Sequence, residues 1–381
     1  MTTRTAVVVG GGIGGLATAC GLIRGGWEVR VLEQAEEFSE VGAAISLWPN
    51  AFRALETVGA LDRLAAPGLP NTGGLRDWRG TWLARLDGLD EVAEATSAAV
   101  VAHRAELLDA LLAGVPAESR LPGARVRGVR VAGDRAVVEY DGGELAADLV
   151  VGADGVRSAV RQAVFPDTAP PRYAGSTAWR MVLPWPRDLA GGESWGRGSV
   201  FGAFPMPGDR VYCYATAKLP PGGRAPDTEL AELRRRFDDW HDPIPDLLAA
   251  ATPEQVLRND IHHLPPLPGY VRGRVALLGD AAHAMTPNLG QGGCQALEDA
   301  ATLSVLANED DLDAALRRYD ALRRPRTQTI AKRALMGNAA VSLSSRPACA
   351  ARNLLVRLVP TSLFVRSLTG TFDWRPPGVI S

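Results

Sequence analysis

Three groups of residues in this sequence have types and spacings that could do chemistry. The first is Gly10-Gly11-Gly12-Ile13-Gly14-Gly15, which contains a Gly-x-Gly-x-x-Gly run. The first glycine permits a tight turn, the second lets backbone approach a pyrophosphate, and the third lets a helix pack closely on a strand. A helix starting there would aim free N–H groups and a partial positive charge at the phosphates. An acid, Glu33, stands about 20 residues on, at the end of the next apolar run, where a carboxylate binds a ribose hydroxyl. An acid rather than a cation at that point suits an unphosphorylated adenosine ribose.

The second group is Asp154-Gly155 with Arg157, Ser158 and Arg161, in "GADGVRSAVR". Asp154 closes an apolar run, and it suits either the N-cap of the next helix or a ligand contact. The third is "RVALLGDAAHAMTPNLGQGGCQALEDA", from Arg274. Asp280 there follows a buried strand, at the carboxyl end where ligands bind in open α/β sheets, and would be a buried acceptor for sugar-like hydroxyls or the phosphate region. Pro287 fixes the chain beyond it. Gly290, Gly292 and Gly293 let backbone N–H groups approach something flat and electron-rich, and a helix from Gln295 aims its positive end at the same spot. An anion delocalised over a ring would be stabilised there. A reduced flavin is such an anion.

Elements of the right kind surround these groups. Residues 5–9 read as a buried strand, 16–24 as a helix stopped by Gly25-Gly26, and 27–32 as a second strand. Residues 51–64 and 103–112 have helical periodicity. Residues 73–86 alternate aromatic and polar residues like antiparallel strands, 124–140 read as a hairpin, and 148–151 as a short buried strand. Residues 173–218 read as sheet with loops, 228–240 as a helix, and 275–278 as a buried strand. Beyond Gln295 the chain is mostly helical, with a long arginine-rich helix over 317–335 and an extended tail at 374–377. These shifts in texture imply a nucleotide-binding domain built from separated segments, with a sheet domain inserted.

Composition narrows the classes. With 381 residues and 46% hydrophobic content, the chain can bury a large core. A net charge of −2 leaves no footprint for nucleic acid. Cys20, Cys213, Cys294 and Cys349 are scattered with no CxxC pair, which suggests neither zinc nor disulfides and fits a reducing cytoplasm. The N-terminal apolar run is cut by glycines and has no cleavage site, so no signal peptide is expected. No stretch is long and apolar enough to span a bilayer. Residues 353–368 are apolar with arginines at intervals. A C-terminal helix docked on the body is the expectation, a membrane-surface helix the alternative.

The three groups, in order and correctly spaced, resemble the dinucleotide, "DG" and "GD" motifs of single-component FAD-dependent monooxygenases, the group of p-hydroxybenzoate, salicylate and urate hydroxylases and zeaxanthin epoxidase. "EVGAAISLWPNA" from Glu40 is similar to the urate and salicylate hydroxylase branch, "HRAELLDALL" from His103 to the helix whose arginine, here Arg104, approaches the FAD phosphates and ribityl chain, and "YAGSTAWRMVLP" from Tyr173 to the start of the family's sheet domain. The resemblance covers nearly the whole chain and says little about the substrate. It implies an α/β (α+β) fold: a Rossmann-like FAD-binding domain of the glutathione-reductase type over 1–72, 98–170 and 270–330, an antiparallel β-sheet substrate domain over 73–97 and 171–269, and a C-terminal helical segment over 331–381.

It also implies tightly bound FAD, with NAD(P)H as a transient donor that binds on a surface groove, since no second Gly-x-Gly-x-x-Gly unit is present. In the family, oxygen adds at the flavin C4a and the hydroperoxide passes one atom to an aromatic or conjugated small molecule, by hydroxylation or epoxidation. The expected cofactor contacts are Gly10, Gly12, Ile13, Gly14, Gly15, Glu33, Gln34, Ala44, Arg104, Arg127, Asp154, Asp280, Pro287, Gly290, Gly292 and Gly293. Arg180, Pro287 and Gly292 are the candidates nearest the chemistry, which the cofactor itself carries. No metal is expected. A cytoplasmic monomer or homodimer without membrane contact is the reading. The alternatives are a same-fold FAD oxidoreductase that does not use O2, such as a prenyl-chain reductase, and a non-catalytic flavin-binding protein; NAD(P)H-dependent oxygen uptake and turnover of bound FAD separate them.

Single residues carry less. Arg180 suits a surface salt bridge or an arginine reaching toward flavin or substrate. His283 suits a structural or nicotinamide contact better than a general base, and His262 and His263 suit loop or core positions. Trp48, Trp179, Phe201, Phe204, Met206, Tyr212 and Tyr214 could line a pocket, with only about three or four facing substrate, because aromatics in sheets usually belong to the core. A tyrosine pair that relays a phenol proton is not identifiable.

Overall fold

The computed structural model of the protein describes residues 3–39, 43–64, 69–70, 73–85, 100–360 and 370–378. Its first strand, β1 (Thr5–Val9), buries Ala6 to Val9 without a break, as a strand covered on both faces requires. Gly10 turns the chain at φ +107°, and any Cβ there would collide with the Ala153 carbonyl. α1 (Ile13–Arg24) starts three residues earlier than periodicity implies. Glycine has no side chain to show a period, yet Gly14 packs against Leu278 and Ala296, and Gly15 lies directly on the Gly10 carbonyl. β2 (Glu28–Leu32) completes the unit.

Next come β3 (Ala44–Leu47), α2 (Pro49–Thr57), β4 (Leu69–Pro70), β5 (Gly74–Asp77), β6 (Trp82–Arg85), β7 (Val100–His103) and α3 (Arg104–Leu112). After them run β8 (Arg120–Leu121), the meander β9 (Val126–Ala132), β10 (Arg135–Tyr140) and β11 (Gly143–Ala147), then β12 (Leu149–Gly152) and α4 (Ala159–Val164). A long sheet segment holds β13 (Arg172–Pro184), β14 (Gly192–Trp195), β15 (Ser199–Met206) and β16 (Arg210–Lys218). α5 (Glu229–Phe237), α6 (Ile244–Ala250) and β17 (Leu257–His263) follow, then β18 (Val271–Arg272) and β19 (Val275–Leu277). Beyond them lie α7 (Asp280–His283), α8 (Gly292–Leu306), α9 (Leu312–Val341) and α10 (Arg346–Leu358).

Two large sheets organise these elements. The six-stranded sheet has the order β18-β19-β12-β1-β2-β8, parallel throughout except for the edge strand β18. α1 and α8 pack on each other over it, and the carboxyl ends of β1, β12 and β19 lead to Gly10, Ala153 and Gly279. The seven-stranded sheet has the order β17-β13-β16-β15-β14-β5-β6. It is antiparallel apart from β14 beside β5, and it joins strands from two separated stretches of chain.

Some boundaries differ from the sequence reading. The helix expected over 51–64 ends at Thr57, with Gly59 at φ +71° just beyond. The helix expected from Gln295 starts at Gly292, and the arginine-rich helix runs over Leu312–Val341. The readings at residues 40–42, at 86–97 within the sheet domain, and at 361–368 in the C-terminal segment lie outside the described residues. Among the described residues, no helix is long and apolar enough to cross a membrane, and no cluster of His, Cys, Asp and Glu could hold a metal ion.

Candidate active site

The Gly-rich turn builds the first part of the site. Gly12 caps α1 with extended backbone, supplies no side-chain cap, and no acid lies in the first helical turn. The first N–H groups of the helix therefore lack a side-chain partner. A Cβ on Gly12 would meet nothing within 4 Å, so the turn is an open cradle, while Gly10 and Gly15 are closed by packing. Glu33 reaches over the turn: one carboxylate oxygen accepts the Gly11 N–H at 2.7 Å and the other the Ala35 N–H at 2.9 Å. Gln34 beside it is exposed, and Ile13 is buried in the core.

The turn after β19 builds the second part. Gly279, at φ +57°, carries the chain into Asp280. Asp280 is exposed, not buried as expected, and its carboxylate accepts no hydrogen bond among the described residues. Pro287 opens a short 3-10 turn that ends at Gly290, φ +60°, packed against Trp48 and Ser46. α8 then begins with no side-chain cap and no acid in its first turn. A Cβ on Gly292 would meet open space, whereas one on Gly293 would strike Ile45 of β3. Gly293 thus also serves packing. Around this turn several buried polar atoms find no partner among the described residues: Thr286 Oγ1, Asn288 Oδ1, Gln291 Nε2 and Trp48 Nε1. Ser158, Thr228, Asp311 and Ser345 cap α4, α5, α9 and α10, while α2, α3 and α6 begin without a side-chain cap.

A buried ionic network holds α8 in place. Asp299 accepts the Gly279 N–H at 2.9 Å, His283 Nε2 at 2.5 Å and Arg323 Nε at 2.6 Å. Glu298 accepts Arg326 at 2.8 and 2.9 Å, Asn50 Nδ2 at 2.6 Å and Gln295 Nε2 at 2.9 Å, and pairs with Arg323. Burial would raise the Asp299 carboxyl, but the charges of His283 and Arg323 hold it below its ordinary value. Sequence reasoning missed this network. Its signal was the Glu298-Asp299 pair inside an otherwise apolar helix, since buried acids are kept only with partners. His283 is accounted for by its bond to Asp299.

Two expected cofactor contacts have partners within the protein. The Asp154 carboxylate accepts the Ala159 and Val160 N–H groups at 2.7 and 3.1 Å and the Ser158 hydroxyl. It closes the first turn of α4, the capping alternative left open by the sequence. Burial pushes its carboxyl up. Arg127 lies on the exposed outer meander, where it pairs with both oxygens of Asp141 at 2.6 and 3.0 Å. An arginine on a solvent-facing strand finds the acid across its own hairpin, which spacing alone does not reveal.

The seven-stranded sheet supplies the opposite wall. Trp179, Met181, Leu183, Phe201, Val211, Cys213 and Ala215 turn to one face and form a core with α5 and α6. Val182, Phe204, Met206, Tyr212 and Tyr214 turn to the other, toward Ala43, Ala44 and Val101 beside the phosphate-turn unit. The period of two in a strand makes this division. Arg180 shares that second face: its Nη1 donates to Asn259 Oδ1 at 3.4 Å, and its charge reaches the buried Tyr212 hydroxyl. Burial raises the Tyr212 pKa, and Arg180 and Arg104 oppose the rise. Tyr214 donates to Glu193, and burial with that carboxylate beside it pushes its hydroxyl well up. Trp48 stands apart, stacked on Phe372 with ring centroids 4.1 Å apart. His262 and His263 lie on β17, away from this wall.

An open phosphate cradle with an acid beside it, a second open helix N-terminus ringed by unpartnered polar atoms, and a mostly apolar wall between sheets fit FAD. Residues 3–334 match the family described as FAD binding domain, and the chain belongs to that family. It is an enzyme of the FAD-dependent monooxygenase type. It is 41% identical to the aurachin C monooxygenase/isomerase of Stigmatella aurantiaca, over 84% of this chain and 85% of that protein. It is 35% identical to the 2-heptyl-3-hydroxy-4(1H)-quinolone synthase of Pseudomonas aeruginosa, over 94% of this chain and 95% of that protein. The structure of Klebsiella pneumoniae HpxO complexed with FAD and uric acid superposes with a TM-score of 0.89 at 32% identity, covering 97% of this chain and 96% of that one.

Proposed function

We propose that the enzyme consumes NAD(P)H and O2 to insert one oxygen atom into a flat, conjugated nitrogen heterocycle. The carrying observation is the sheet face of Val182, Phe204, Met206 and Tyr212, apolar but for Arg180 and the tyrosine hydroxyls, set toward Ala43, Ala44 and Val101. Such a wall suits a ring whose faces are apolar and whose edge carries a carbonyl or oxyanion. Uric acid and a 4(1H)-quinolone are both bicyclic nitrogen heterocycles with ring carbonyls, and the reading extends that chemistry to this chain.

FAD, when bound, supplies the redox chemistry that takes a hydride and activates oxygen. The residues of the chain do the rest. Gly12, Ile13, Gly14 and Gly15 offer N–H groups to the pyrophosphate, and Glu33 holds the adenosine ribose. Asp280 takes hydroxyls of the ribityl chain. Gly290, Gly292 and Gly293, with the N-terminus of α8 behind them, stabilise negative charge at the ring edge at little reorganisation cost. Arg180 orients the polar edge of the substrate through its charge, and the apolar wall excludes water. In this reading the six-stranded unit is a Rossmann-like domain of the glutathione-reductase type over 1–72, 98–170 and 270–330, with the substrate sheet inserted over 73–97 and 171–269.

The test is a screen of bicyclic nitrogen heterocycles for compounds that accelerate NAD(P)H oxidation, followed by product mass under ¹⁸O2. One labelled oxygen per product is expected. NAD(P)H oxidation with a reduced product and no oxygen uptake would assign the chain to reductase chemistry instead.

A further inference from the structure

α10 is built the wrong way round for a helix that only docks on its own protein. α10 turns Cys349 and Arg352 inward. Arg352 is buried, donates to the carbonyls of Gly196 and Ala340, and lies 5.2 Å from the centre of the Trp195 ring. Leu354, Leu355 and Leu358 point out and are 56%, 64% and 68% exposed. These positions, one and four residues apart, share one helix face. Leu335, Met336, Leu343 and Val359 are exposed at the same end of the chain, so seven of the nine exposed large apolar residues, among those described, lie between 335 and 359. An outward apolar helix face such as that of Leu354, Leu355 and Leu358 marks an interaction site.

The charge of the segment is equally one-sided. Residues 327–360 carry Lys332, Arg333, Arg346, Arg352 and Arg357 and no acid, in a chain whose net charge is −2. The nearby acid Asp77 stands 3.9 Å from Arg357 and already accepts the N–H groups of Arg79 and Thr81. α10 packs against β6. There Trp82 lies between Arg76 and Arg85, at 3.9 and 5.1 Å, and Arg79 covers Trp78 at 4.9 Å. Leucines flanked by arginines and tryptophans match the boundary between headgroups and acyl chains. A second copy of the chain fits poorly. A two-fold contact would set the face against itself, bringing arginine onto arginine with no carboxylate in the segment to answer them.

We propose that the outward face of α10, with its flanking cations, docks the enzyme on an anionic lipid bilayer as a peripheral protein. The leucines enter the acyl boundary, and Arg346, Arg357, Lys332 and Arg333 meet lipid phosphates. This proposal is independent of the substrate assigned above.

The experiment is co-flotation of the holoenzyme with phosphatidylcholine vesicles, with and without phosphatidylglycerol, alongside light scattering for mass. The wild-type protein should float with the phosphatidylglycerol vesicles. Leu355→Glu with Leu358→Glu should lower partitioning by about tenfold or more, because both leucines leave the acyl boundary. FAD content and unfolding temperature should not change, since both side chains are exposed. Arg346→Gln with Arg357→Gln should lower partitioning by roughly fivefold per charge on anionic vesicles only. Three results would overturn the proposal: no flotation of wild type with anionic vesicles, flotation unaffected by the leucine pair, or a wild-type dimer that the leucine pair dissociates without vesicle binding. The last would make a second copy the occupant.

Discussion

Gly12→Ser separates the fold from the cofactor, because it should move their energies in opposite directions. Gly12 occupies the N-cap of α1 with φ −76° and ψ −179°, a conformation serine adopts freely, and its Cβ would face open space. A serine hydroxyl there would accept an N–H from Gly14 or Gly15. Serine exceeds glycine as an N-cap by only a few tenths of a kcal/mol, so the apoprotein should melt at the same temperature or slightly higher. The same hydroxyl takes one donor from the pyrophosphate and stands where that group must lie. A hydrogen bond to a charged group contributes about 1.5–3 kcal/mol. At about 1.4 kcal/mol per tenfold, FAD should bind about 10- to 100-fold more weakly. Quenching of flavin fluorescence on titration into apoprotein measures Kd, and calorimetry of the apoprotein measures the melt. An FAD Kd within about twofold of wild type would show that no phosphate occupies this turn. A melting temperature lower by several degrees would show that the glycine serves the fold.

Further outcomes follow from other parts of the site. Asp280→Asn should leave thermal stability unchanged, since the carboxylate has no partner among the described residues, yet weaken FAD retention by about tenfold on dilution. Gly292→Ala should leave the apoprotein intact but slow flavin reduction in stopped flow and raise peroxide yield, whereas Gly293→Ala should also destabilise the apoprotein by roughly 1–3 kcal/mol through overpacking on Ile45; equal melts for the two would refute the distinction. Arg180→Met should raise KM for substrate about tenfold while FAD affinity stays constant, and a changed FAD Kd would place Arg180 at the cofactor instead. Asp299 has a lowered pKa in the fold. Its contribution to stability is therefore fully present above the unfolded carboxyl value near 3.8 and is lost as pH falls through the lower, folded value. Asp299→Asn should flatten that acid limb of the stability curve; an unchanged slope in acid titration of the melt would sink the assignment.

Much of the architecture was legible because it rests on local rules. The run at Gly10 to Gly15 sits between an apolar strand and a helix, and Gly10 and Gly15 have the steric roles their positions imply. The sheet segment over 173–218 was legible from its wealth of tryptophan, phenylalanine and tyrosine. The missed features depend on residues far apart in the chain. The start of α8 at Gly292 was invisible because glycines carry no hydrophobic period, although their backbone still closes helical hydrogen bonds. Asp154 offered two roles with identical chemistry at the sequence level, and its capping role depends on where the Ala159 and Val160 N–H groups lie. The Asp299–Arg323 pair spans two packed helices. The distribution of Phe201 and Phe204 to opposite faces depends on which side of the sheet each helix covers, and neither residue reveals that by type.

The division of β13, β15 and β16 into two faces bears on how this protein can change over generations. Val182, Phe204, Met206 and Tyr212, with Arg180 beside them, form the face proposed to meet substrate, while their immediate neighbours Met181, Leu183, Ala203, Val211 and Cys213 fill a separate core. Selectivity and durability are thus inherited through alternate letters of the same strands. Replacements at the first set can explore new ring sizes and edge polarities without loosening the second. A lineage carrying this sheet can diversify its chemistry by single substitutions and keep its scaffold, provided no insertion shifts the alternation. One inserted residue would exchange the two sets over the rest of a strand, so that the pocket would inherit the core's side chains and the core an arginine.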